Sequence, residues 1–258
     1  MPHRAILTGL TLLTLAAAPA SAADLHLQWV HHFPQRQPAW QFTQRMLEDQ
    51  AYMPAAAGGL VFVTFEHSGA LAAFDARTGQ EKWRRYTSGP VRMGPVASDT
   101  HVYAAGDDGH LYCFDHAGDL KWSFFGGPAS GNRMVIAHDR LASAWPASAR
   151  PVLHDGLIYY NAGYRPVDGA FFPALSAATG KVVWTNGTAQ FRPFWEMRVH
   201  NGQLHVLGHH GSGVFDAKTG ATLEEKAAKP EPGPELPNTP GVKGQVRYRV
   251  PVGDRVLV

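Results

Sequence analysis

The chain has a single cysteine, Cys113, among 258 residues. No intrachain disulfide can form, so stability has to come from packing. Charge is scarce as well, at 17% of residues, and nearly balanced: 23 Lys and Arg against 21 Asp and Glu. That balance leaves no basic footprint for nucleic acid and no polybasic membrane patch. Beyond residue 22 there is no apolar run long enough to span a bilayer. A Gly-x-Ser-x-Gly elbow, a phosphate-binding loop and a zinc-protease signature are all missing. No catalytic constellation can be assembled from what remains, so no catalytic or metal-binding residue is assigned.

Glycine and proline are plentiful, at 27 and 19 residues, which suits a fold with many turns. The N-terminus reads as an export signal over residues 1–22. Arg4 gives a positive start, residues 5–18 are apolar, and Ala20-Ser21-Ala22 supplies small residues for cleavage. No cysteine follows that site to carry a lipid. The mature chain is therefore expected in the periplasm or outside the cell, with no transmembrane segment.

The rest of the chain is repetitive. Ala73-Phe74-Asp75-Ala76-Arg77-Thr78-Gly79-Gln80-Glu81-Lys82-Trp83 recurs as Cys113-Phe114-Asp115-His116-Ala117-Gly118-Asp119-Leu120-Lys121-Trp122. It recurs again as 174–184, ending in Thr179-Gly180-Lys181-Val182-Val183-Trp184, and as 214–224, where Gly220 is kept and Glu224 replaces Trp. Gly79 to Gly118 and Gly180 to Gly220 are nearly equal intervals. Gly118 to Gly180 is distinctly longer, so it holds one repeat plus an insertion. Each unit reads as a strand ending at a turn-forming Asp or Ser, a glycine for positive φ, and a second strand bearing the tryptophan. Two alternating strands precede it, which makes four antiparallel strands in about 40 residues, the size of one propeller blade. A β-sandwich needs no such periodic tryptophan.

The Ala-x-Asp-x-x-Thr-Gly-x-x-x-Trp pattern resembles the tryptophan-docking repeat of the quinoprotein-type (PQQ-like) β-propeller family, over roughly residues 50–226. The resemblance implies an all-β propeller in which Trp83, Trp122 and Trp184 dock against neighbouring blades beside Gly79, Gly118, Gly180 and Gly220. Blades are expected at 50–86, 91–124, 148–186 and 194–226 within a domain spanning 23–258. A partial fifth would begin near 246, and Leu27-Gln28-Trp29 resembles the final strand of another blade. Seven or eight blades are implied, so the chain is expected to be an incomplete, open propeller truncated at its C-terminus.

Quinoprotein dehydrogenases of this type hold pyrroloquinoline quinone beside a vicinal Cys-Cys disulfide, with Ca²⁺ on Glu, Asn and Asp. One cysteine cannot make that pair, so no cofactor is expected. Cys113 occupies the slot where other repeats have Ala or Val and reads as core. His205, His209 and His210 read as a solvated hairpin rather than a metal site. Gly106-Asp107-Asp108-Gly109 reads as a turn without calcium-loop spacing. Arg84, Arg85 and Arg92 read as solvated surface. The resemblance leaves two functions open: a non-catalytic binding or scaffold module of the cell envelope, or part of a quinone-dependent dehydrogenase.

Loop lengths single out one face. The stretches from Trp83 to Asp99 and from Trp184 to Asn201 are nearly the same, but that from Trp122 to Asp155 is about twice as long. In an antiparallel blade the excess falls on the face opposite the glycine turns. Long loops on a rigid scaffold are where binding residues gather. Arg133, His138, Arg140 and Trp145 in the insertion, with Tyr164 and Arg165 beside them, are the candidates for holding a protein or small-molecule ligand.

Overall fold

The computed structural model describes residues 27–32, 53–66, 68–137, 140–163, 168–188, 191–209, 211–227, 250–252 and 255–257. Residues 1–22, read as an export signal, lie outside them. No α-helix occurs among the described residues. The protein is all-β, as the repeat predicts.

Four sheets have the same plan. The first contains β1 (Ala55–Ala57), β2 (Leu60–Phe65), β3 (Ala70–Asp75) and β4 (Glu81–Tyr86). The second contains β5 (Val96–Ala97), β6 (His101–Ala105), β7 (His110–Asp115) and β8 (Leu120–Phe125). A separate hairpin follows, β9 (Met134–Ala137) and β10 (Arg140–Ser143). The third sheet contains β11 (Val152–His154), β12 (Leu157–Tyr159), β13 (Ala170–Ser176) and β14 (Val182–Thr188). The fourth contains β15 (Arg192–His200), β16 (Gln203–His209), β17 (Gly211–Asp216) and β18 (Thr222–Ala227). A last hairpin joins β19 (Val250–Val252) to β20 (Arg255–Leu257). In every four-stranded sheet the strands pair in chain order and antiparallel, which is the meander of a propeller blade.

The turn chemistry explains the register. Gly58-Gly59, Asp155-Gly156 and Asn201-Gly202 all take positive φ and close two-residue hairpins, as type I′ turns require. The turn into the outer strand is made by its Asp. Asp75 Oδ1 accepts the N–H groups of Arg77 and Thr78, and Asp216 Oδ1 accepts those of Lys218 and Thr219. These bonds favour the ionised form, and the Thr78 backbone N–H contributes most to pulling Asp75 down to about 2. The ladder then shifts register at one equivalent place in all four sheets, next to the residue facing the tryptophan position. Ala73, Cys113, Ala174 and Val214 stand there. Cys113 is fully buried in this small-residue slot, and burial pushes its thiol up to about 12.

The middle strands are sandwiched between sheets, so they are apolar on both faces rather than alternating. Phe62, Leu71 and Ala73 face the second sheet, where they meet Val102, Ala104 and Phe114. Val63, Ala72 and Phe74 fill the other side. Outer strands alternate, and only the tryptophan of β4 is buried.

Residues 27–32 form no strand, contrary to the expectation for Leu27-Gln28-Trp29. No ladder partner lies beside them among the described residues. The Trp29 indole nevertheless sits on Gly79 and donates to the Ala76 carbonyl at 2.9 Å. Tryptophan docking therefore does not depend on completing the strand.

Candidate functional site

The glycine-turn face is where the sheets are tied together. Trp83 of the first sheet lies on Gly118 of the second, Trp122 on Gly180 of the third, and Trp184 on Gly220 of the fourth. Glycine is needed at Gly180 for two reasons. Its φ is +69°, and a Cβ there would come within 2.6 Å of the Trp122 ring. The indole N–H then anchors each joint. Trp83 donates to His116 O at 2.8 Å and Trp184 to Ala217 O at 3.0 Å. Trp122 is the exception, since its Nε1 is buried without an acceptor. The corresponding carbonyl, Ala177 O, is taken by the Tyr103 hydroxyl at 3.0 Å. Glu224, at the tryptophan position of the fourth sheet, is exposed and pairs with Lys226.

One expectation follows from the orphaned donor. Trp83→Phe strips an acceptor of its partner and is expected to cost about 1–3 kcal/mol beyond the lost ring area. Trp122→Phe removes an unsatisfied N–H and should cost less by about 1 kcal/mol or more. Urea unfolding of the two variants tests this, and equal losses would overturn it.

The opposite face carries the long loops and a buried polar network. Arg92, in the linker between the first two sheets, is 1% exposed. Its Nε donates to both Asp107 oxygens at 2.9 Å and its Nη2 to Ala147 O at 3.0 Å. This corrects the expectation of a solvated arginine: the linker folds inward, and the carboxylate of the β6–β7 turn neutralises the charge. That turn, read from sequence only as a turn, buries both Asp107 and Asp108. Asp108 accepts the Tyr112 hydroxyl and the His110 N–H, and its own carbonyl accepts Asn132 Nδ2 at 2.9 Å. Asn132 Oδ1 in turn accepts Ser143 Oγ at 2.6 Å. Further round, Ser148 Oγ donates to Pro193 O at 2.6 Å, joining the third and fourth sheets.

The candidate binding residues are placed as follows. Trp145 is buried, its Nε1 donating to Asp168 O at 2.8 Å. Arg133 pairs with the Asp168 carboxylate, its guanidinium 5.4 Å from the Trp145 ring centroid. These three residues clasp the insertion onto the β12–β13 turn. His138, Tyr164 and Arg165 lie outside the described residues, as does the side chain of Arg140, which opens β10. Beside the exposed Ser130, Asn132 and Arg133, the insertion shows apolar side chains to solvent. Ile136 and Leu141 face each other across the β9–β10 hairpin and are 83% and 60% exposed, with Met134 beside them. Sequence reasoning misses this trio, although alternation at 134 and 136 signals one strand face.

A second feature lies on the axis. β1, β5, β11 and β15 are the innermost strands and touch one another in turn. A cavity of about 580 Å³ lies among them, lined by Val96, Arg150, Val152, Leu153, Glu196 and Met197, among others. A register irregularity in β15 between Pro193 and Met197 accompanies the last two.

Residues 28–229 match the family described as outer membrane protein assembly factor BamB. The chain belongs to that family. BamB from Moraxella catarrhalis is similar in fold at 20% identity and a TM-score of 0.51, over 68% of this chain and 49% of that one. Quinohemoprotein alcohol dehydrogenase ADHIIG from Pseudomonas putida HK5 aligns at 16% identity and a TM-score of 0.54, over 67% and 33%. The Comamonas testosteroni quinohemoprotein alcohol dehydrogenase aligns at 16% and 0.52, over 70% and 36%. The chain thus spans between a third and a half of the length of these structures. No curated protein sequence matches it.

A single cysteine cannot make the vicinal Cys-Cys pair that the resemblance to the quinoprotein dehydrogenases implies. The one cysteine is buried in β7, away from the axial cavity and unable to form a vicinal disulfide. Among the described residues no group of three His, Cys, Asp or Glu side chains could hold a metal ion. His205 and His209 lie on β16, and His210 is outside the described residues.

Proposed function

We propose that the chain is a non-catalytic binding module of the periplasm or cell envelope that holds a protein partner on its long-loop face. The observation that carries this is the β9–β10 hairpin, clasped to the body by Arg133, Asp168 and Trp145 while presenting Ile136, Leu141 and Met134 to solvent. Exposed apolar side chains on a firmly held insertion gain by burial against another protein, about 25 cal/mol per Å² of apolar surface. The reading of residues 1–22 as an export signal agrees with this compartment, and the name of the matching family, an outer membrane protein assembly factor, agrees with a scaffold role. A part in a quinone-dependent dehydrogenase has the fold in common, but the single cysteine cannot supply a vicinal disulfide.

The test uses Ile136→Ser with Leu141→Ser. Both side chains point to solvent, so circular dichroism and the unfolding midpoint should stay as in the parent. Crosslinking in envelope preparations should lose the partner band that the parent gives. Retention of that band in the double variant would overturn the assignment of this face.

A further inference from the structure

Arg150 lies just before β11, at the wall of the axial cavity. Its Nε and Nη2 both donate to Pro95 O, at 3.1 and 2.7 Å, which fixes the plane of the guanidinium. A carbonyl brings no full charge, so the cation is held without being neutralised. Arg92 has Asp107 and Arg133 has Asp168, whereas among the described residues no carboxylate lies within ion-pair distance of Arg150. Its Nη1 meets no acceptor among them either. Burial pushes the Arg150 guanidinium below its ordinary value, and no anion acts in the other direction.

The rest of the cavity is sized and lined for a small molecule. Val96 of β5, Val152 and Leu153 of β11 and Met197 of β15 supply apolar wall from three sheets. Glu196 adds one negative charge. A half-buried guanidinium with donors to spare prefers a planar oxyanion that can accept two parallel N–H bonds. A carboxylate is that group. A second anionic group on the same ligand would meet Glu196 with no further cation to hold it.

We propose that the axial cavity binds a small organic monocarboxylate with an apolar tail, its carboxylate on Arg150 and its tail along Val96, Val152, Leu153 and Met197. This site is separate from the hairpin of the loop face.

Titration calorimetry of the full chain with octanoate, octanol, suberate and pyrroloquinoline quinone tests it. Octanoate should bind, octanol and suberate at least tenfold more weakly, and the quinone more weakly than octanoate. Arg150→Gln should lose at least tenfold in octanoate affinity, and Arg150→Lys should keep part of it. Because Arg150 also ties the start of β11 to Pro95, just before β5, Val96→Phe serves as the second variant: it fills the cavity, leaves the cation in place and should also abolish binding. Ile136→Ser with Leu141→Ser should bind octanoate like the parent, which separates this site from the hairpin. Equal affinity for octanol and octanoate, unchanged octanoate binding in Val96→Phe, or tighter binding of the quinone would overturn the proposal.

Discussion

Trp83→Ala and Trp184→Ala are each expected to lower the unfolding free energy by about 3–5 kcal/mol, the range for removing a large buried aromatic. Both rings are buried, and each closes a joint between two sheets. Trp83 lies 6.0 Å from Phe62 within its own sheet and 6.3 Å from Phe114 in the next. Trp184 lies 5.9 Å from Tyr159, and its indole shares the Ala217 carbonyl with the Tyr159 hydroxyl. Truncation leaves a cavity between two rigid sheets and an acceptor short of a donor. Gly118→Ala attacks the same joint from the other side, because the Trp83 ring stands 2.8 Å from where its Cβ would be, at a φ of +87°. Urea denaturation followed by tryptophan fluorescence and circular dichroism measures these losses. Costs below about 1 kcal/mol at both tryptophans would show that the sheets are held by something other than the indole joints.

Arg92→Met is expected to be as damaging, at about 3–5 kcal/mol, because it strands a buried carboxylate. Asp107 is 1% exposed and would be left buried with its cation gone. The loss is electrostatic rather than volumetric, since methionine nearly fills the space. The double variant Arg92→Met with Asp107→Leu removes both charges and should recover much of the stability, as buried pairs replaced by apolar side chains commonly do. A double-mutant cycle in urea reads this directly. Simple additivity of the two single changes would show that the pair is not coupled. Neither change touches the tryptophan joints, which lie on the opposite face.

The two faces differ in how readable they are. The glycine-turn face is made by a local pattern. Asp, Thr, Gly and Trp at fixed spacing specify a turn, a positive φ and a ring one residue past a register shift. Local chemistry alone places them, and the glycine and docked tryptophan recur in the three sheets that keep the tryptophan, although the second lacks the threonine and the third has Ser176 for the Asp. The partner of each indole is not readable in the same way. Trp122 follows a turn that is one residue shorter and lacks the threonine, yet its ring docks on Gly180 like the others while its N–H is left without an acceptor. Arg92 reads as surface for a related reason. A lone arginine in a linker has no periodic neighbour that marks it as buried. The available signal is Asp107-Asp108 in a tight turn between two apolar strands, where two carboxylates imply a nearby cation.

Loop length points to the insertion after Trp122, and the structure adds what its members touch. Arg133 and Trp145 meet Asp168, while Met134, Ile136 and Leu141 are its exposed apolar side chains. Whether a polar side chain is free to bind depends on what stands opposite it, and the Asp168 that faces Arg133 comes from a turn in a different sheet, far along the chain.

The all-β class, the four-stranded unit and the tryptophan that joins one unit to the next are all dictated by the amino-acid order, because each follows from spacing within a single repeat. Which charges are buried and which indole is left unpaired are set only when the sheets assemble, as is the meeting of Val96, Arg150 and Glu196 around one axial cavity. Those outcomes depend on side chains from different sheets coming together at a distance that no periodicity records.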